Sequence, residues 1–215
     1  MGNRTEFEQT GRTWFRGLLR SDVLGYLRQA QTENGRLNAA HPVLQADPPW
    51  LVALREHWPG MRQVRGVAFS KDAEDNWAVP WHQDRIIAVL ERRETQGFDA
   101  WSCKDGVWHC APPVSVLEHM LFVRLHLDDC SAQEGAMEIA LGSHLAGIIA
   151  TSDAAAVAET CETEVTEARA GDVLVMHMLL LHRSTPSRSG APRRVLRVDL
   201  ADRALPAPLE WALPI

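Results

Sequence analysis

The chain has 215 residues, enough for one well-buried domain and short for two. Hydrophobic residues make up 46% and charged residues 23%, a composition ordinary for a soluble globular protein. The formal net charge of −6 argues against nucleic acid as a partner, because phosphate backbones are bound by basic surfaces.

The first residues hold no apolar stretch that reads as a signal peptide, and no run approaches the length of a membrane span. Cys103, Cys110, Cys130 and Cys161 form no CxxC pair and match no zinc spacing, so four free thiols in a reducing cytoplasm are expected.

In chain order, Ser21 reads as an N-cap before Val23, Leu24 and Leu27, which recur at helical spacing; this helix is expected to end near Gly35. A second helix is predicted from Pro49 to Trp58, stopped by Pro59-Gly60. The period then changes. Gln63–Ser70 and Trp81–Leu90 read as strands, and Gly97–Pro113 as a polar, punctuated loop. Leu121–Leu127 alternates, with Leu121, Val123, Leu125 and Leu127 on one face and Phe122, Arg124 and His126 on the other. Short strands are predicted at Gly135–Ala140, Val173–Leu181 and Arg194–Leu200, with a helical turn or two at Ala154–Thr160 and a packed loop from Leu205. Short strands with few helices between them predict a mainly β protein, a barrel or sandwich with helices on its N-terminal side. A single domain is expected, with a helical edge over about residues 18–60 and a β core over about 63–200.

Two segments carry chemistry. In His82-Gln83-Asp84, side chains two apart on a strand share a face, so an imidazole nitrogen and a carboxylate oxygen can meet one metal ion. Two histidines and one carboxylate with open positions suit non-haem Fe(II). The stretch from Gly171 to Arg194 adds a histidine on an apolar strand and then an arginine that can return to the same pocket. An inward arginine needs an anion, and a carboxylate gripped bidentately is the natural one. Spacing alone leaves two pairs open, because Arg193 follows His182 by eleven residues and Arg188 follows His177 by the same count.

Four segments in register resemble the phytanoyl-CoA dioxygenase family of Fe(II)/2-oxoglutarate oxygenases: VPWHQD at Val79–Asp84, RLHLDD at Arg124–Asp129, GAMEIALGSHLAG at Gly135–Gly147, and His182, Ser184 and Arg193. Leu141 stands where the family usually has proline, and Glu134 where asparagine is common, both in a turn. The resemblance implies a double-stranded β-helix (jelly-roll, cupin-like) core. It assigns His82, Asp84 and His182 to iron(II), and Arg193 with Ser184 to the distal carboxylate of 2-oxoglutarate; it favours His182 over His177. Arg124 stands where relatives place a residue lining the cosubstrate pocket. It is read either as a contact to 2-oxoglutarate or a substrate anion, or as a salt bridge on the barrel face.

The implied activity is a dioxygenase that uses O2 and 2-oxoglutarate to hydroxylate, or otherwise oxidise, an unactivated C–H of a small molecule, releasing succinate and CO2. Related halogenases replace the carboxylate ligand by a small residue, so Asp84 points away from halogenation. A catalytically silent binding module and a 2-oxoglutarate-independent cupin-type metal protein are the alternatives; the intact ligand set opposes the first and Arg193 the second. Substrate contacts are expected from Lys71, Asn76 and Trp81 near the HxD segment, and from Trp101 and Trp108 in the 97–113 loop, read as a lid.

Overall fold

The computed structural model describes residues 4–31, 34–45, 47–71, 74 and 76–213. Residues 1–3, part of the stretch read above for a signal-peptide pattern, lie outside them. In chain order the elements are α1 (Arg4–Thr10), β1 (Arg12–Phe15), α2 (Ser21–Ala30), β2 (Gly35–Arg36), α3 (Pro49–Arg55), β3 (Arg62–Lys71), β4 (Val79–His82), β5 (Ile87–Val89), β6 (Asp99–Lys104) and β7 (Val107–Ala111). They continue with α4 (Val114–Leu117), β8 (Met120–His126), β9 (Met137–Ala140), α5 (Ala154–Glu159), β10 (Thr163–Val165), β11 (Val173–His177), β12 (His182–Ser184) and β13 (Arg193–Ala201).

The strands form three antiparallel sheets: a six-stranded sheet in the order β1-β11-β8-β13-β3-β2, a four-stranded sheet in the order β10-β9-β12-β4, and a three-stranded sheet in the order β5-β7-β6. The architecture is mainly β with a cupin-like core, and the sheets do not close into a barrel.

Alternation along β8 decides how the large sheet is used. Leu121, Val123 and Leu125 join Leu24 and Leu27 of α2 and Trp50, Leu51 and Leu54 of α3 in one buried cluster. The helices therefore cover the apolar face, each large side chain contributing on the order of 1.5–3 kcal/mol of burial. The opposite face, Phe122, Arg124 and His126, is buried as well. Phe122 packs with Met137 and Ile139 of β9 in a second cluster, so the polar residues of β8 look into the space between the sheets.

Several expectations are corrected. Ser21 is the first residue of α2, not its cap; Arg20 takes the extended cap conformation without a side-chain bond. The helix stops at Ala30, and Gly35 instead pairs with Ala68 at the sheet edge. The β core begins before residue 63, because β1 pairs with β11 from Arg12↔Met176 to Phe15↔Val173. Glu164 of β10 anchors that strand, accepting from Arg12 Nε at 2.7 Å and Trp14 Nε1 at 3.0 Å. Trp81–Leu90 is not one strand: β4 and β5 belong to different sheets, and the chain turns between them. β11 ends at His177 because the His177 carbonyl and Nδ1 accept from Leu180 N and Leu179 N and bend the chain.

The segment 97–113 is a hairpin, not a loop. Asp105 and Gly106 both have positive φ, 51° and 77°, the two-residue turn that matches strand twist. Asp-Gly between apolar runs was a readable signal for it. The four cysteines are free thiols. No helix among the described residues is long and apolar enough to cross a membrane.

Candidate metal centre

His82 ends β4 and faces His182, which opens β12, in direct cross-strand register. Asp84 follows just past the strand end. Ligand atoms of the three residues lie within 4.8 Å of one another, and His182 Nε2 stands 3.0 Å from Asp84 Oδ2. Donor atoms about 2.1 Å from a divalent transition ion, at near-right angles, are about 3 Å apart, so the set has the dimensions of a facial triad.

Both rings are oriented for ligation. His82 Nδ1 lies 2.8 Å from Pro80 O and His182 Nδ1 2.9 Å from Leu180 O. A proton on each Nδ1, donated to a carbonyl, leaves the Nε2 lone pair free for a metal. Burial and the neighbouring His182 both lower the His82 pKa, which keeps its ring neutral.

Gln83 points away from the triad, as strand parity predicts. Its Nε2 donates to Gly147 O and Leu179 O, both at 2.8 Å, and its Oε1 accepts from Ile149 N at 2.9 Å. One side chain thus fastens the ligand segment to two loops.

Sequence reading missed Arg197. Its Nη1 donates to Asp84 Oδ2 at 2.5 Å, while Nε and Nη2 reach the two oxygens of Asp199 at 2.6 and 3.1 Å. Burial alone would raise the Asp84 pKa, but Arg197 and then His182 carry it well below the usual carboxylate range. The available signal was parity, since Arg197 lies on the same face of β13 as Arg193, four residues on.

A cavity of about 250 Å³ opens on the triad, and its lining includes Lys71, Trp77, Arg124, Ser184, Arg193 and Arg197. Lys71 Nζ donates to Thr185 O at 2.9 Å and to Ser184 Oγ at 3.3 Å. Arg193 is buried; among the described residues its Nη1 meets Cys130 Sγ, at 3.3 Å, and its Nε meets no partner.

The other candidates lie elsewhere. Asn76 clamps the loop after β12 through two bonds to the Ser187 backbone. Trp81 packs in a small apolar cluster beneath the Arg183 guanidinium, 4.8 Å away. Trp101 on β6 and Trp108 on β7, within the hairpin, pack against the core, with Arg92 at 5.8 and 6.0 Å. None of these four lines the cavity, because their rings are taken up by packing and Asn76 by a loop. His177 sits apart from the triad, stacked 4.9 Å from His144 and 6.3 Å from Phe7, and Arg188 is exposed.

The donor set suits iron(II), and a buried guanidinium lacking an anion suits a dicarboxylate cosubstrate. Fold and site together are those of an Fe(II)/2-oxoglutarate-dependent oxygenase, with iron, 2-oxoglutarate and O2 as its cofactor set. The chain belongs to the phytanoyl-CoA dioxygenase (PhyH) family, whose pattern it matches over residues 12–195.

Solved structures share the fold. SnoN, a non-haem α-ketoglutarate-dependent epimerase from nogalamycin biosynthesis, superposes with a TM-score of 0.65 at 17% identity, over 93% of this chain and 79% of its own. HygX from Streptomyces hygroscopicus, solved with nickel and 2-oxoglutarate, gives 0.61 at 19% identity over 93% and 86%. EctD from S. alaskensis, in its apoform, gives 0.69 at 15% identity over 95% and 78%. Comparison with curated protein sequences finds no match.

Proposed function

We propose that this protein hydroxylates, or otherwise oxidises, an unactivated C–H of a small-molecule metabolite, with His82, Asp84 and His182 as the iron ligands. One observation carries the reading: the triad opens on a cavity in which Arg193 has no carboxylate partner among the described residues. Arg193 would take the distal carboxylate of 2-oxoglutarate through its planar fork, with Ser184 adding a hydrogen bond. Held there, Fe(II) would supply O2-dependent C–H oxidation, with O2 as the oxidant and 2-oxoglutarate as the co-reductant that leaves as succinate and CO2.

The chain's own part is to hold and to screen. The carbonyls of Pro80 and Leu180 fix the histidine rings, and Arg197 fixes the ligating carboxylate. Phe69, Trp77 and Phe122 give the cavity apolar walls that limit water around the reacting carbon. Lys71 is favoured over Asn76, Trp81, Trp101 and Trp108 as a substrate or cosubstrate contact, since it alone of the five lines the cavity. SnoN, an α-ketoglutarate-dependent epimerase on the same fold, supports an outcome other than hydroxylation as the second reading.

Anaerobic addition of 2-oxoglutarate to the Fe(II)-loaded protein should produce a weak visible charge-transfer band that His82→Ala abolishes. Absence of the band in wild type, or its survival in His82→Ala, sinks the reading. Succinate formation against a metabolite panel identifies the substrate.

A further inference from the structure

Among the described residues, six basic side chains line the cavity, Arg65, Lys71, Arg124, Arg183, Arg193 and Arg197, against one carboxylate, Asp84. Just outside it, Asp199 pairs with Arg197 and Glu138 with Arg183. Three positive charges are left unmatched. Loading the site does not remove them, because ligating histidines are neutral and a metal dication cancels a dianionic cosubstrate. A half-enclosed cavity that stays positive attracts an anionic guest and repels a cationic one.

Position singles out Arg65. By strand parity Arg65, Phe69 and Lys71 share the inner face of β3, and all three line the cavity. Lys71 pairs with Arg193 and Arg65 with Asp199, so the two basic ends of this wall stand six residues apart, about 20 Å along the strand. Arg197, which holds Asp84, pairs with Val67 between those ends. The triad therefore lies between the Arg193 end and Arg65, and a five-carbon diacid held by Arg193 and the metal does not reach Arg65. Its guanidinium is weakly engaged among the described residues. Nη1 reaches Ile86 O at 3.3 Å and Asp199 Oδ2 at 3.5 Å, both near the limit of a hydrogen bond, and Nε is buried without a partner. Asp199 does not depend on it, since Arg197 already holds both carboxylate oxygens. Burial first, and then Arg197, oppose the Arg65 charge, and the side chain keeps 20% exposure.

We propose that Arg65 is the anion-binding residue for the substrate, and that the substrate is a small molecule carrying a carboxylate or a phosphate. The proposal rests on the oxygenase reading above and names the class of molecule that reading leaves open. The planar fork of Arg65 matches either group bidentately. With its anion seated there, the body of the substrate lies along Phe69 and Phe122 and presents a C–H toward the triad. An arginine this poorly paired costs stability in the empty cavity and becomes favourable when the anion arrives.

The test uses the full chain, loaded without O2 with Fe(II) and saturating 2-oxoglutarate, and calorimetric titration of two matched pairs of probes. 3-Phenylpropionate is set against its amide, and phenyl phosphate against phenol. In wild type at least one anion should bind roughly tenfold to a hundredfold more tightly than its neutral partner, the range for a hydrogen bond to a charged group. The pair showing the larger ratio tells carboxylate from phosphate. Arg65→Met should bring that ratio close to one while leaving 2-oxoglutarate affinity unchanged. Arg65→Lys keeps the charge without the fork and should fall between; it also serves where the methionine variant does not fold. Equal binding of anion and neutral partner in wild type, no binding of either anion, or a preference that survives in Arg65→Met or is undiminished in Arg65→Lys overturns the proposal. A lowered melting midpoint in Arg65→Met with the preference intact assigns Arg65 a structural role and overturns it too. If the charge-transfer band forms but the preference is absent, the anion subsite alone fails; if wild type shows no band, the oxygenase reading fails and the subsite with it.

Discussion

Arg197 binds the ligating carboxylate of Asp84 from behind, and the same guanidinium is held on its other edge by Asp199. Arg197 and Asp199 are nearly closed to water, their side chains 5% and 1% exposed, while Asp84 keeps 24% exposure toward the cavity. Arg197→Gln leaves buried Asp199 with only the longer Arg65 contact, at 3.5 Å, and should cost about 3–5 kcal/mol in chemical denaturation. Because Asp84 loses its orienting partner, Fe(II) affinity should also fall roughly ten- to a hundredfold. Wild-type iron affinity in a folded Arg197→Gln protein would remove Arg197 from the metal site.

The choice between the two histidine–arginine pairs is open to direct measurement. His182→Ala should lose Fe(II) binding, whereas His177→Ala should keep it, since His177 stacks on His144 away from the triad. Likewise Arg193→Ala should weaken 2-oxoglutarate binding, and Arg188→Ala, on an exposed loop, should not. The reverse pattern in metal and cosubstrate titrations would move the site to His177 and Arg188.

Gly135 sits at φ 69°, where an added Cβ would lie 2.6 Å from Thr185 O and 3.0 Å from Ser187 N. That loop follows β12 directly and gives Lys71 its carbonyl partner at Thr185. Gly135→Ala should therefore destabilise the protein by roughly 1–3 kcal/mol and weaken 2-oxoglutarate binding as the loop shifts. An alanine variant with unchanged denaturation midpoint and cosubstrate affinity would show that the loop yields without consequence.

Burial holds two imidazoles down to about 4: that of His177, helped by His144, and that of His109, helped by Arg36 and Arg65. The unfolded chain takes up these protons near pH 6.5, the folded one only near pH 4. Unfolded protein thus binds more protons across that window, and stability of the metal-free protein should fall as pH drops from about 6.5 to about 4. His177→Phe, which keeps the contact with Phe7, should flatten part of that slope. An identical pH slope in the variant would mean that His177 titrates normally.

Much of the site is legible because its information is local. His82 and Asp84 share a face by strand parity, and the alternation of β8 separates Leu121, Val123 and Leu125 from Phe122, Arg124 and His126 before any tertiary contact is known. Local turn chemistry at Asp105-Gly106 likewise encodes the hairpin, whereas the packing of its Trp101 and Trp108 on the core depends on tertiary contacts.

The sequence by itself determined which side chains travel together: the HxD pair, the inward row of β8, and the arginine that follows His182. Tertiary structure decided which of those rows meet. Arg197 reaches Asp84 across 113 residues of chain, and His182 faces His82 only because β12 and β4 pair. Whether a buried arginine finds a carboxylate among the described residues, as Arg197 does and Arg193 does not, depends on the packing of distant strands. The reason is physical. Spacing fixes the direction of a side chain relative to its own backbone, whereas charge compensation depends on what the rest of the chain brings within hydrogen-bond reach.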